Sequence, residues 1–183
     1  MKAIVITGVP GSGKTTIANN AGKILGIPVV HANDLIKSEK LYSSKAADGS
    51  LIVKMPELNR RITSIIRSSK SSLIVEGHVL CEIQISGAVA VVIRQHLRTT
   101  LERLKARGYS AQKLRDNMIS EALDYCGERA RKNYSSVYEI IGNKSSAKVL
   151  AEIIAGRGMR YLRPIDLSAE LMRMLKKEKN AII

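Results

Sequence analysis

The sequence predicts an α/β domain of three layers, in which helices cover both faces of a central parallel sheet. Short apolar runs typical of buried strands alternate along the chain with longer segments whose apolar residues recur at helical spacing. A glycine-rich segment, residues 8–15, lies between the first such run and the first such helix. In parallel sheets with helical connections, ligands bind beyond the carboxyl ends of the strands. The glycine-rich segment therefore marks the expected position of the functional site.

The glycine-rich segment is a complete G-x-x-x-x-G-K-[ST] motif, and its flanks fit a phosphate-binding loop. The run Ile4-Val5-Ile6 precedes it. The residues after it repeat at helical spacing up to Gly26, which we expect to end the helix: Ile17, Ala18, Ala21, Ile24 and Leu25.

Each residue type in the motif has a chemical reason. Glycines allow successive backbone N–H groups to turn toward phosphate oxygens, and the positive end of the following helix dipole faces the same anion. We expect Lys14 to reach the β and γ phosphates of a nucleoside triphosphate. We expect the Thr15 hydroxyl to bind a magnesium ion that bridges them.

The later elements follow from hydrophobic periodicity and turn residues. Further strands are predicted over residues 27–31, 72–76, 87–94 and 137–141, and a polar, mobile segment over residues 42–50. Helices are predicted from Asn33 or Asp34 to about Leu41, after Pro56, from Leu97 to Gly108, from Ser110 through Tyr125, over residues 146–155, and around Leu167 and Leu171.

Polar residues end two of the predicted strands, and the sheet geometry should bring them near the loop. Glu76 can orient a magnesium-bound water, although an acid at a strand end can also be a plain surface residue. Arg94 ends another apolar strand. His78 can accept a proton from, or orient, an attacking water or hydroxyl group, or can be an ordinary polar residue.

Arg103 and Arg107 share one helix face beside Gly108, which is a predicted hinge. Arginines that close over a transferring phosphoryl group stabilise its spread of charge. The alternative is a pair of solvated helix arginines.

The charge of the chain suggests a second partner. The formal net charge is +14, whereas a nucleotide site needs only a few cations. A large polyanion such as RNA is one explanation, and a basic surface that serves solubility is the other. Aromatic residues make up only 3% of the chain, so we expect contacts to phosphates rather than base stacking.

Composition also predicts a cytoplasmic protein of one domain. The 183 residues contain no run approaching a membrane span, and the N-terminus passes directly into a strand rather than a signal peptide. Cys81 and Cys126 form no C-x-x-C motif, so we expect free thiols in a reducing compartment.

The motifs together resemble the adenylate kinase 6 family, which includes ribosome-assembly ATPases and archaeal adenylate kinase relatives. The resemblance covers residues 1 to about 155. It rests on residues 8–16, 33–35, 74–78 and 92–94, and above all on the block from Glu102 through Arg107-Gly108-Tyr109 to Lys113, Asn117 and Glu121.

The resemblance implies a P-loop nucleoside-monophosphate-kinase fold with a central parallel sheet. It divides the chain into a kinase domain, residues 1–156, and a basic C-terminal extension, residues 157–183. Within the kinase domain it implies a monophosphate-binding segment over residues 31–54 and a lid over residues 106–116.

The resemblance also implies roles for particular residues. The ATP contacts are Gly11, Gly13, Lys14, Thr15, Thr16 and Arg107. The catalytic group is Lys14, Glu76, His78 and Arg107. Asp34 and Arg60 belong to the monophosphate site, and magnesium is bound by Thr15 directly and by Glu76 through water.

The implied activity is transfer of the γ-phosphate of ATP to AMP or another monophosphate, together with ATP hydrolysis. The implied context is late maturation of the small ribosomal subunit, with pre-ribosomal RNA and a ribosomal protein of the uS11 type as partners. One departure is that residues 43–56 have almost none of the family's acids. Two alternatives stay open: an assembly ATPase with little kinase activity, and a small-metabolite kinase in which Asp34 binds a substrate hydroxyl.

Overall fold

A five-stranded parallel sheet forms the centre of the protein and confirms the predicted fold class. The computed structural model describes residues 3–47, 49–156 and 165–180. The sheet consists of β1 (Ala3–Thr7), β2 (Val29–His31), β5 (Leu73–Glu76), β6 (Val89–Arg94) and β7 (Val137–Ile141). Their spatial order is β2-β5-β1-β6-β7, and every neighbouring pair is parallel.

The remaining elements connect these strands. The helices are α1 (Lys14–Leu25), α2 (Ala32–Ser38), α3 (Met55–Ser68), α4 (Leu97–Ala106), α5 (Ala111–Ala122), α6 (Tyr125–Asn133), α7 (Ser146–Ile154) and α8 (Ser168–Asn180). A 3-10 helix spans His78–Glu82, and β3 (Tyr42–Lys45) pairs with β4 (Leu51–Val53). Within the described residues no helix is long and apolar enough to cross a bilayer.

Apolar side chains alternate between the two faces of the sheet, so each face carries its own core. Val5 and Val75 pack with α2, α3 and the 3-10 helix on one face. Ile4, Ile6 and Ile74 pack with α1 and α7 on the other face. Both cores are filled mainly by aliphatic side chains, as expected for a chain without Trp or Phe.

The sheet register determines where the functional residues lie. Ile6 of β1 is opposite Glu76 of β5, and the Gly77 N–H donates to the Ile6 carbonyl at 3.0 Å. Both strands therefore end at the same edge, and the carboxylate of Glu76 lies beside the glycine loop that follows β1.

Two predicted helix boundaries agree with the structure. Gly26 ends α1 with a left-handed backbone, and Ser110 precedes α5 with its hydroxyl accepting from the Lys113 N–H. The prediction that Asn33 or Asp34 caps α2 was wrong. The helix begins at Ala32, directly after β2, and no side chain caps it.

The prediction of a polar mobile segment over residues 42–50 was also wrong, because this region contains the β3–β4 hairpin. Its turn is closed by the Ala46 N–H, which donates to the Ser50 carbonyl at 2.8 Å. Tyr42, Leu51 and Val53 pack against the core. Their apolar contacts hold the hairpin, although Ser43, Ser44 and Lys45 of β3 are polar.

The predicted helix from Ser110 through Tyr125 is two helices. Asp124 separates α5 from α6 with a left-handed backbone, φ 55°. Aspartate tolerates this conformation better than most residues. Its carboxylate is also bound by Arg94, at 2.6 Å, and by Arg131.

Arg94 is the centre of a buried ionic network rather than part of the ligand edge. Its side chain is 1% exposed, and its guanidinium contacts Glu121 at 3.2 Å, Asp124 at 2.6 Å and Glu139 at 3.3 Å. Burial raises the pKa of Glu121, and Arg94 opposes that rise. The expectation that Arg94 marks the ligand site was therefore wrong, since its guanidinium is buried in the core, where it joins β6 to β7 and to the α5–α6 junction.

The same network holds the C-terminal segment. Arg94 donates to the Ile165 carbonyl at 2.9 Å, and Glu139 accepts from the Ile165 N–H at 3.0 Å. Leu167 is buried with Leu97, Met118 and Ala122, and Leu171 packs against this group. The described part of the predicted extension thus packs on α4 and α5. Residues 157–164 of the predicted basic extension lie outside the described residues.

We expect the Arg94→Leu substitution to lower the free energy of unfolding by about 3–5 kcal/mol, because it leaves buried carboxylates without their cation. Urea unfolding followed by circular dichroism measures this change. Arg129→Ala is the matched control, because Arg129 forms a solvent-exposed pair with Glu82 that should contribute less than about 1 kcal/mol. Equal stability of the Arg94→Leu variant and the wild-type protein would contradict the role of Arg94.

Candidate nucleotide-binding site

The glycine loop forms a compact cradle at the carboxyl end of β1. Gly13 precedes α1 with φ 98°, a backbone conformation that residues with a Cβ rarely adopt. The Lys14 ammonium folds back over the loop and donates to the Val9 carbonyl at 2.9 Å. Burial lowers the pKa of Lys14, and the nearby Glu76 carboxylate opposes that change. The Lys14 ammonium would therefore contact an anion bound in the glycine loop.

Glu76 is buried beside the loop and is held from two sides. Its Oε1 accepts from the Thr15 hydroxyl at 3.2 Å and from Nδ1 of His31 at 2.9 Å. The structure therefore brings together Lys14, Thr15 and Glu76, as the sequence predicted. Sequence reasoning missed His31, although its position at the end of a predicted strand was the available signal.

His78 faces the same space, and its backbone is tightly positioned. Its carbonyl accepts from the Thr7 hydroxyl at 3.1 Å and from the Cys81 thiol at 3.3 Å. A Cβ on the preceding residue, Gly77, would lie 2.8 Å from the Ala32 side chain, so glycine allows α2 to approach closely.

The electrostatic surroundings keep His78 neutral. Partial desolvation, followed by the positive charge of Lys14, lowers the pKa of His78 below its usual 6.5. The imidazole is exposed to the cleft, and water there opposes part of the desolvation. A neutral ring at pH 7 can accept a proton or a hydrogen bond.

The two arginines of α4 have different environments. Arg103 donates through Nη1 to the Gly11 carbonyl at 2.9 Å and so joins α4 to the glycine loop. Arg107 follows the last residue of α4 and lines the cleft with Tyr109 and Lys113. The Lys113 ammonium lies 5.6 Å from the centre of the Tyr109 ring.

These residues surround a cleft of about 760 Å³, a size suited to a small-molecule ligand. Polar and charged side chains from several elements line it. They are Lys14, Thr15, Thr16, Asn33, Lys37, Ser50, Glu76, His78, Glu82, Arg107, Tyr109, Lys113, Asp116, Asn117, Ser120 and Tyr125. Asn33 and Lys37, one helical turn apart on α2, were not predicted as site residues, and their i, i+4 spacing was the only signal.

Two predicted monophosphate-site residues lie away from this cleft lining. Asp34 is exposed on α2, where its neighbour Asn33 contacts the cleft instead. Arg60 lies on α3 in a separate groove of about 620 Å³ and pairs with Glu57 at 3.6 Å. The structure does not bring these two residues together with Lys14, and their roles stay predictions.

The donor set fits a magnesium ion bound mainly by the substrate. Thr15 and Glu76 supply a hydroxyl and a carboxylate 3.2 Å apart, and both are hard oxygen donors. Among the described residues, no group of three or more His, Cys, Asp or Glu side chains could form a complete metal site. Phosphate oxygens and water would therefore have to complete the coordination.

The fold and the site define the class of protein as a P-loop domain that binds a nucleoside triphosphate. The family model described as an AAA domain matches residues 4–124. Among solved structures, the chain is similar to shikimate kinase from Bacteroides thetaiotaomicron, with a TM-score of 0.59, 18% identity, and coverage of 84% of this chain and 98% of that one. It is also similar to TT1252 from Thermus thermophilus, with a TM-score of 0.56, 21% identity, and coverage of 84% and 96%. At these identities the likeness supports the fold alone.

Curated relatives identify the family. The chain is 34% identical over 153 residues to the "Putative adenylate kinase" of Methanocaldococcus jannaschii, with coverage of 82% of this chain and 83% of that protein. It is 32% identical over 139 residues to the protein of the same name from Methanosarcina barkeri, with coverage of 75% of each. The chain belongs to the family of these archaeal adenylate kinase relatives, as its motifs predicted.

We expect Arg103→Ala to weaken nucleotide binding about fivefold, because the loop loses a hydrogen bond of about 1 kcal/mol that orders it. Equilibrium titration with ATP and magnesium measures this effect. Arg98→Ala on the same helix is the control, since the Arg98 side chain is exposed and pairs with the exposed Glu102 at 3.3 Å, away from the glycine loop. Equal nucleotide affinities of the two variants would show that the Arg103 contact does not order the loop.

Proposed function

We propose that this protein is an ATP-dependent nucleoside-monophosphate kinase that transfers the γ-phosphate of ATP to AMP or a related monophosphate. The observation that supports this most strongly is the composition of one cleft. The phosphate loop shares it with residues of the predicted monophosphate segment and of the predicted lid. The names of the curated relatives support the same activity.

In this proposal the γ-phosphorus–oxygen bond of ATP breaks while an oxygen of the monophosphate attacks the same phosphorus. Lys14 and Arg107 stabilise the charge on the transferring group. Thr15 and, through water, Glu76 would hold magnesium, which supplies charge neutralisation of the phosphates when bound. His31 keeps the Glu76 carboxylate in place.

Lys37 is a cation of the predicted monophosphate segment that lines the described part of the cleft. Lys37 and Asn33 of α2 line it, together with Ser50 and Leu51 of the hairpin. We propose that Lys37 contacts the acceptor phosphate. Asp34 and Arg60 join this site only if α2 or α3 moves.

We expect Lys14→Ala to abolish diphosphate formation, with a loss of at least a hundredfold, because the transferring charge loses its main cation. The measurement is ATP turnover with and without a panel of monophosphates, with nucleoside diphosphate and free phosphate quantified separately. Lys23→Ala, an exposed lysine on the same helix, is the control and should leave turnover unchanged. A wild-type protein that forms no diphosphate from any monophosphate would overturn the kinase proposal.

Hydrolysis of ATP on the same site is a second proposed activity, because water can replace the monophosphate as acceptor. The neutral His78 would then accept the proton of the attacking water. The net charge of +14 supports a role for this activity on an RNA particle, which we propose is the maturing small ribosomal subunit with its uS11-type protein.

We expect the protein to bind small-subunit ribosomal RNA with an affinity that falls steeply with salt, because contacts to phosphates release counterions. Binding measured between about 50 and 200 mM salt gives the slope of log K against log salt. ATP turnover by the same protein preparation without RNA is the control for correct folding. Absence of binding at the lowest salt would contradict the RNA role and leave the kinase proposal standing.

A further inference from the structure

One side of α3 forms a shallow groove that is separate from the nucleotide cleft. The groove has a volume of about 620 Å³, and we call its lining the α3 face: Asn59, Arg60, Thr63, Ser64, Arg67 and Ser68. Among the described residues, none lines both this groove and the cleft. A partner on the α3 face and a nucleotide in the cleft can therefore be bound at the same time.

The amphipathic pattern of α3 leaves this face to a polar partner. Leu58 and Ile62 are buried in the core, and Ile65 and Ile66 pack against it. On the α3 face, by contrast, four side chains are exposed and the other two are half-buried. All six are polar or charged, so the face can offer hydrogen bonds and positive charge but no apolar anchor.

The charge of the α3 face matches a polyanion. Residues 54–71 contain five Lys or Arg side chains and one acid, Glu57. Arg60 is 75% exposed and pairs with Glu57 at 3.6 Å, and within the described part of the chain Arg67 has no ion pair. The two arginines are seven residues apart, about 10 Å along the helix. They can therefore contact different phosphates of one strand, each through its planar fork of N–H donors.

The side chains between the arginines favour RNA among the polyanions. Thr63 donates its hydroxyl hydrogen to Asn59 at 3.4 Å, and Ser68 donates to the Ile65 carbonyl at 3.1 Å. A hydroxyl that donates within the helix still has a lone pair free to accept from a ribose 2′-hydroxyl. The α3 face has no aromatic ring on which a base could stack. Double-stranded RNA is read through phosphates and 2′-hydroxyls across its wide, shallow minor groove, which suits this set of side chains.

We propose that the α3 face binds in the minor groove of double-stranded RNA. Arg60 and Arg67 contact phosphates, and the amide and hydroxyl side chains between them contact ribose 2′-hydroxyls. This inference rests on the proposed RNA role and assigns that role to a surface. Because the contacts are to the sugar–phosphate backbone, binding depends on duplex shape and little on base sequence.

The test compares an RNA duplex of about 16 base pairs with a DNA duplex of the same sequence, by fluorescence anisotropy with the full chain. We expect the RNA duplex to bind about tenfold more tightly, because DNA lacks the 2′-hydroxyls. Arg67→Ala should weaken binding and reduce the slope of log K against log salt by about 1. Arg98→Ala removes an equally exposed arginine from α4 and should leave the slope unchanged. Arg67→Ala should keep wild-type ATP turnover, which verifies its fold.

The contacts to ribose have their own variant. Ser64→Ala should reduce the preference for RNA over DNA about threefold and leave the salt slope unchanged, because it removes a hydroxyl and no charge. Equal affinities of the wild-type protein for the two duplexes would overturn the proposal. Displacement of the RNA by polyglutamate at equal charge concentration would also overturn it, in favour of an acidic protein partner.

The outcomes separate this inference from the proposals on which it rests. Tight RNA binding that Arg67→Ala and Arg98→Ala weaken equally would remove the α3 face from the RNA role and leave that role standing. Absence of RNA binding by the wild-type protein would overturn both. Formation of nucleoside diphosphate is measured without RNA, so the kinase proposal stands or fails independently of either result.

Discussion

The buried guanidinium of Arg94 is the interaction on which the rest of the arrangement depends. It lies at the end of β6 and neutralises carboxylates from α5, from the α5–α6 junction and from β7. The position of α5 matters because Lys113 and Asn117 project from it into the cleft. A charge network in the core thereby determines the geometry of one wall of the nucleotide site. Such a network is costly to bury, and the ion pairs of Arg94 with Glu121, Asp124 and Glu139 offset part of that cost.

The opposite requirement holds at the phosphate loop, where charges are left available for a ligand. Among the described residues, the Lys14 ammonium donates to a backbone carbonyl, and the Thr15 hydroxyl donates to the Glu76 carboxylate. These groups are positioned by adjacent strands and by His31, so little reorganisation is needed when phosphates enter. Preorganised charge of this kind is the main source of stabilisation for a transferring phosphoryl group.

Sequence reasoning predicted the features that local pattern determines. The order of strands and helices, the loop chemistry and the proximity of Glu76 to Lys14 all follow from periodicity and from the rule for strand ends. Sequence reasoning failed where contacts with residues distant in the sequence determine the local structure. Arg94 has the same sequence signature as a ligand-binding residue, and only the carboxylates of Glu121 and Glu139 show its structural role. The break at Asp124 is invisible in the helical pattern because apolar spacing continues across it. The hairpin was missed because half of its residues are polar and its apolar contacts lie on other elements.

The attachment of the C-terminal segment has a consequence for how freely that segment can vary. Arg94 and Glu139 bind Ile165 through its carbonyl and its N–H, groups that every residue except proline possesses. These two hydrogen bonds therefore recognise the path of the chain at this point, and the Ile165 side chain adds an apolar contact with the cluster of Leu97, Met118, Ala122 and Leu167. A segment of different sequence would fit this domain if it kept apolar side chains at positions 165, 167 and 171, which pack against α4 and α5.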